Sequence, residues 1–384
     1  MWNIDSARTT QYLQDMVRID SVNPGLVAGA NGEMDMAIWL VDTCRELGLV
    51  VRLQHTAPGR PNVIATWQGS GGGKSLLLTG HTDVVSVENM QGNPFDGRIE
   101  AGRLYGRGSL DMKGGLAAIL GAVKALKDGG FRPKGDIILG FVTDEEYLSI
   151  GTDALVKEVR ADAAILTEPT SCDICIAHKG FLWLTLTTQG KAAHGSLYME
   201  GVDAVAHMGH LLHALDKFNA AAPQRHALLE RASAHASFIS GGLGLSTYPD
   251  QCKLQIEHRL LPDETPDSVI AFWQAAIDDL TKTVPGFAAT VTTDFYRPGY
   301  EIERGAPITQ TLDAAYRGVV GTAPHYMGMF AWLDSAILGR AGIPTIILGP
   351  GGAGAHAAVE YVILDDVQRC AAVIAEAAAK WTGD

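Results

Sequence analysis

The chain has 384 residues and carries 30 Lys and Arg against 43 Asp and Glu, a formal net charge of −13. That length exceeds one small core and suits two domains, or one large domain with an insertion. The 47% apolar, 19% charged composition argues against disorder, collagen and coiled coil. The acidic balance argues against a nucleic-acid partner, whose phosphates need a surplus of Lys and Arg on one face.

The opening MWNIDSARTTQYLQDMV lacks the basic start and apolar core of a secretory signal, and no apolar run is long enough for a membrane span. From there to about residue 170, helices and strands alternate, as in a sheet covered on both faces. Helices are predicted over 6–17, 33–47 and 114–127, and strands over 50–54, 62–67, 75–79, 136–141 and 163–166. After Gly180 the texture changes to strands at 181–188, 237–239, 253–259 and 288–295 with helices at 202–218 and 267–282. That is an α+β set large enough for a small module. Beyond Pro307 the alternation resumes with a strand at 345–348 and a closing helix at 365–381. The expected class is therefore α/β, a catalytic domain made of 1–178 and 297–384 with an inserted α+β domain at 179–296.

Three local patterns are set aside. Gly69–Ser75 ends in Gly-Lys-Ser but follows Gln68 and precedes an apolar strand where a phosphate loop requires a helix, so it reads as a hairpin loop. Cys172 and Cys175 form a CxxC without a second pair; with Cys44, Cys252 and Cys370 they make an odd five, as suits reduced structural thiols in a cytoplasm. His207, His210 and His213 recur every three residues on one predicted helix with no acidic cluster beside them, and are assigned to a solvent or interface face.

Five segments place His or acidic residues at or just beyond an apolar run. His81 and Asp83, two apart on extended backbone, project to one side, where a carboxylate fixes the imidazole tautomer and frees the far nitrogen for a metal. Asp111 follows crowded glycines at a helix start, a position the dipole favours for negative charge. Asp144, Glu145 and Glu146 crowd three acids at one strand end, which costs free energy unless cations neutralise them. Glu168 closes another strand, and a fifth opens through Gly349–Gly354 to His356. Taken singly, each has a plainer explanation: a hydrogen-bonded turn, a helix cap or a solvated acidic loop. Together they occupy the strand ends where open α/β sheets bind ligands. Imidazoles and carboxylates without Cys suit a pair of zinc-like ions, held ~3.5–4 Å apart around a shared water.

The ordered blocks His81-Thr82-Asp83, Gly106-Arg107-Gly108-Ser109-Leu110-Asp111-Met112-Lys113-Gly114-Gly115, Asp144-Glu145-Glu146, Glu168-Pro169 and Gly349-Pro350-Gly351 with His356 and Glu360 resemble one family over nearly the whole chain. It is the acetylornithine deacetylase, succinyl-diaminopimelate desuccinylase and glutamate carboxypeptidase family of co-catalytic metallohydrolases. The resemblance implies a zinc-peptidase-like catalytic domain with a mixed sheet and an inserted lid domain that forms a homodimer. It implies Asp111 as the carboxylate bridging two metals, His81 and Glu168 completing one site, and Glu146 and His356 the other. Glu145 matches the general base and Asp83 the orienting partner of His81, and the peptide after Asp111 is expected to be cis. In the insert, His194 matches a histidine that reaches a partner's active site, and Arg259 a position that holds a substrate carboxylate. Where relatives carry Asn, the stretch before Pro249 offers Ser246 instead.

The function so implied is a cytoplasmic, two-metal hydrolase, with zinc first and cobalt or manganese as alternatives, that removes an acyl group from an N-acyl amino acid or a similar small carboxylated amide. A dipeptidase or carboxypeptidase with the same site is the nearest alternative. A non-catalytic metal-dependent binding protein is a more distant one.

Overall fold

In the computed structural model, which describes residues 2–383, the apolar runs ahead of the ligand blocks become buried strands. Leu76–His81 lies parallel between Ile137–Val142 and Ala163–Leu166, and Thr345–Ile347 runs parallel beyond Ala163–Leu166. Every residue of these four strands is buried, which is why they read as continuous rather than alternating apolar sequence. Arg60–Trp67 joins antiparallel to Ile137–Val142, and Val50–Ala57 pairs antiparallel outside it, so the sheet is mixed. Four parallel strands share one direction. Their C-terminal ends therefore lie along a single edge, where His81, the acidic loop, Glu168 and the glycine run to His356 all leave the sheet.

Helices Gly114–Asp128 and Leu364–Gly383 pack on Leu76–His81 and on each other, joined by Ser6–Val17 and Pro307–Val320. Met34–Glu46 covers Arg60–Trp67. The first compact unit consists of the chain up to Ile176, Ile302–Met327 and everything from Leu333 on; the second consists of Ala177–Glu301 with Gly328–Trp332.

The second unit is an antiparallel sheet in the order Ser233–Gly241, Gln251–Leu260, Gly180–Gln189, Ala288–Arg297. Period-two alternation sends Leu182, Leu184, Leu186, Leu254, Ile256 and Leu260 to one face, where Met208, Leu211, Val269, Trp273 and Ile277 from helices Ala204–Ala221 and Pro266–Thr283 meet them. Each such side chain, fully buried, contributes ~1.5–3 kcal/mol of transfer free energy.

Inside this core the Trp273 indole N–H donates to Nε2 of His258 at 2.9 Å, which requires that nitrogen to be unprotonated. Burial pushes the His258 pKa down to about 4. Between that value and ~6.5 the unfolded chain binds the proton and the folded chain does not, so stability rises with pH in this window and is lost as pH falls through it, by about 3 kcal/mol in all. Denaturant titrations should therefore show the advantage of the wild-type chain over His258→Gln shrinking from pH 7 to pH 4.5; an advantage independent of pH would refute the neutral-imidazole assignment.

Two local expectations are corrected, and one is met. The Gly69–Ser75 loop is not a hairpin, because the strands on either side of it both pair with Ile137–Val142 and not with each other. Its Gly69 and Gly73 instead press on the Lys134–Gly135 backbone, where a Cβ would come within 2.2–2.6 Å. His207 is buried and stacks on Phe287 at 5.3 Å, so the histidine stripe is partly core. All five cysteines are buried and unbridged, and Cys172 faces Cys370, with the sulfurs 3.4 Å apart, across the chain from its CxxC neighbour.

Candidate metal centre

His81 ends its strand with the ring buried and Nδ1 facing the Asp83 main-chain carbonyl at 2.9 Å; the Asp83 carboxylate is 3.7 Å away. A proton fixed on Nδ1 leaves Nε2 facing Asp111 Oδ1 at 3.2 Å and Glu168 Oε1 at 3.8 Å. On the other side, His356 Nε2 faces Asp111 Oδ2 at 3.3 Å and the Glu146 carboxylate at 3.0 Å. The ligating atoms of His81, Asp111 and Glu168 lie within 4.8 Å of one another, as do those of Asp111, Glu146 and His356. Asp111 thus gives one oxygen to each group. Glu145 belongs to neither.

The electrostatics of this cluster call for cations. Burial, then the charges of Asp111, Asp334 and Glu146, pushes the Glu168 carboxyl well above its ordinary range despite His81. Burial, then Glu168, Asp334 and Glu146, does the same to Glu145. Burial opposes a proton on His81, yet Asp111 and the surrounding carboxylates outweigh it and raise its pKa. Hydrogen bonds to Asp111 and Glu146 lift His356 to about 10. Despite burial, the two imidazoles hold Asp111 below the usual carboxylate range. Glu168 Oε1 is buried without a hydrogen-bond donor, a cost of ~1–3 kcal/mol or more for a charged group. An orphaned oxygen among facing imidazole nitrogens and carboxylates fits two divalent ions held by nitrogen and oxygen donors.

The model of peptidase family M20/M25/M40 matches residues 77–380. The chain belongs to this family. As a member it is a metallohydrolase acting on C–N bonds. A probable succinyl-diaminopimelate desuccinylase of Staphylococcus aureus is 28% identical over 97% of both chains. An acetylornithine deacetylase of Myxococcus xanthus is 28% identical over 84% of both. In fold, the chain is similar to aminopeptidase PepT from Bacillus cereus, with a TM-score of 0.82 at 20% identity, covering 98% of this chain and 99% of that one.

In this M20 chain the support around the cluster is built by close backbone approach. Gly115 and Gly349 both press on Thr167–Glu168, where a Cβ would meet main-chain oxygens at 2.2–2.3 Å, so only glycine lets helix and ribbon close on the strand that delivers Glu168. Asp111 sits in a kinked turn, Ser109–Lys113, with non-helical dihedrals and a cis peptide to Met112, as expected from the family resemblance. Glu360 holds that turn: its Oε1 accepts the N–H groups of Leu110 and Asp111 at 3.0 and 3.1 Å, and its Oε2 pairs with the buried Arg107 at 2.7 Å. Arg107 in turn donates to the Ser86 and Ala357 carbonyls.

The residues of the second unit are placed as follows. His194 is exposed, with Nδ1 2.9 Å from the Ser196 hydroxyl. The carbonyl of Ser246 accepts the Gly195 N–H at 2.7 Å, so these two segments adjoin. Arg259 donates from Nε to Glu257 at 2.7 Å and lies over the Phe181 ring. Sequence reasoning missed Asn23, Glu33, Arg60 and Asp334. Only Asn23, in an Asn-Pro-Gly turn, left a local signal, and it reads as loop chemistry.

Proposed function

We propose that the protein hydrolyses the amide bond of an N-acyl amino acid or a similar small carboxylated amide, with Glu145 as general base. The observation that carries this reading is a pair of His/carboxylate groups sharing Asp111, with a third acid, Glu145, beside them and in neither. His81, Asp111 and Glu168 would hold one divalent ion, zinc before cobalt or manganese, and Asp111, Glu146 and His356 the other. When bound, the pair supplies Lewis acidity that polarises the carbonyl and makes water acidic near neutral pH. The chain supplies proton traffic. Glu145 takes the proton of the attacking water and delivers it to the departing nitrogen, a role that suits a carboxyl held above its ordinary range by burial and neighbouring acids.

The terminal nitrogens of Arg259 would pair with the substrate carboxylate while its Nε stays on Glu257, and the Ser246 hydroxyl would replace the amide that the family resemblance leads one to expect there. The exposed His194 would act in a partner's site, stabilising the oxyanion, in a homodimer formed through the second unit. Unbridged cysteines support a reducing, cytoplasmic setting. The test is a panel of N-acetyl, N-succinyl and dipeptide substrates, run with metal-loaded and chelator-stripped protein. Hydrolysis of the acyl amino acids that disappears on stripping and returns with Zn²⁺, Co²⁺ or Mn²⁺ is the expected result. Turnover confined to dipeptides would replace the deacylase reading with a dipeptidase, and full activity without metal would end both.

A further inference from the structure

The His81 ring is served by the main-chain carbonyl of Asp83, which leaves the Asp83 carboxylate for the acidic loop. Its Oδ1 accepts the Glu145 N–H at 3.1 Å and its Oδ2 the Glu146 N–H at 3.2 Å. The loop's first residue, Asp144, is also tied down: it adopts φ 69°, and its Oδ2 accepts the Leu148 N–H at 3.3 Å. Both carboxylates converge on one side chain. Asn23 donates from Nδ2 to Asp83 Oδ2 at 2.7 Å and to Asp144 Oδ1 at 3.1 Å.

The orientation of that amide is set independently, because its Oδ1 accepts the Gly25 N–H at 2.8 Å and so turns the nitrogen toward the two acids. The Asn23 main chain is fixed as well, its N–H donating to the Val84 carbonyl at 2.9 Å. Gly25 packs against the Tyr147 ring of the same acidic loop, where a Cβ would come within 2.5 Å. Behind the amide, buried Arg60 grips Glu33 with Nε and one terminal nitrogen, at 2.9 and 2.5 Å, and reaches Asp144 Oδ1 with the other at 2.7 Å. Asn23, Glu33, Asp83 and Asp144 are all nearly inaccessible. A neutral two-hydrogen donor between two buried carboxylates satisfies both without adding charge; an acid there would leave like charges facing one another.

We infer that Asn23 is a positioning residue for Glu145: its amide clamps Asp83 and Asp144 together and, through them, sets the peptide that aims the Glu145 carboxylate. The inference rests on the reading of Glu145 as general base. Displacing a reacting group by about 1 Å costs up to ~10²-fold. Asn23→Ala should therefore lower kcat by about 10- to 100-fold, with KM and bound metal unchanged, and Asn23→Asp should lower it further.

The deciding measurement is a double-mutant cycle in the metal-loaded enzyme. If Asn23 acts through Glu145, Asn23→Ala loses most of its effect on kcat in a Glu145→Gln background. The same fold-loss in both backgrounds, or a loss that tracks departing metal, overturns the proposal. Should Asn23→Ala fail to fold, Asn23→Ser, which keeps one donor, is read in the same cycle. Near-normal turnover of Glu145→Gln alone would instead overturn the base assignment, so the two failures are told apart.

Discussion

Glu145→Gln is expected to lower kcat by about 10²–10⁴-fold, the usual contribution of a positioned general base, while metal content and substrate affinity stay near those of the wild-type chain. The substitution is nearly isosteric and removes only the capacity to take and return a proton. Glu145 is absent from both groups of facing ligand atoms, so its loss should not release a cation. Its backbone N–H remains to bond Asp83, so the loop should hold its shape. Metal analysis and steady-state kinetics on one preparation make the check. Loss of metal together with activity would assign Glu145 to the ligand set, and retention of most of the turnover would remove it from the chemistry.

Much of this arrangement is legible in the sequence for a simple reason. Strands buried on both faces appear as unbroken apolar runs, and each ends at the residue where polar chemistry begins, as at Leu76–His81 and Ala163–Leu166. The observed helix Ser6–Val17 and strand Ala163–Leu166 coincide with the predicted ones and the other predicted elements differ mainly at their ends, whereas the helix Ile150–Glu158 and the strand Ile174–His178 were not read from the sequence. Illegible were the pairings made by distant residues. Arg107 and Glu360 are 253 positions apart, and Arg60 reaches Glu33 and Asp144 from opposite sides along the chain. Each looks like an ordinary surface charge until the fold buries both partners. The kinked turn at Ser109–Lys113 was hidden in the same way, because its shape depends on Glu360 accepting two of its N–H groups.

Asp111→Asn should have the broader effect of the two substitutions, because it strikes both halves of the centre at once. One carboxylate faces His81 with Oδ1 and His356 with Oδ2, and the imidazoles hold it below the usual carboxylate range. An amide of the same shape carries no charge and can offer an oxygen in only one direction, turning N–H donors toward the other imidazole. Replacing groups that merely orient metal ligands costs about 10–100-fold in affinity, so losing a shared ligand should weaken binding by at least about 10²-fold. The expected variant keeps its fold, since the Asp111 N–H still bonds Glu360, but retains at most one ion after dialysis and has no measurable turnover. Calorimetric titration with Zn²⁺ and elemental analysis test this directly. Two ions bound with wild-type affinity would show that Asp111 bridges nothing, and the two groups would then have to be treated as separate sites.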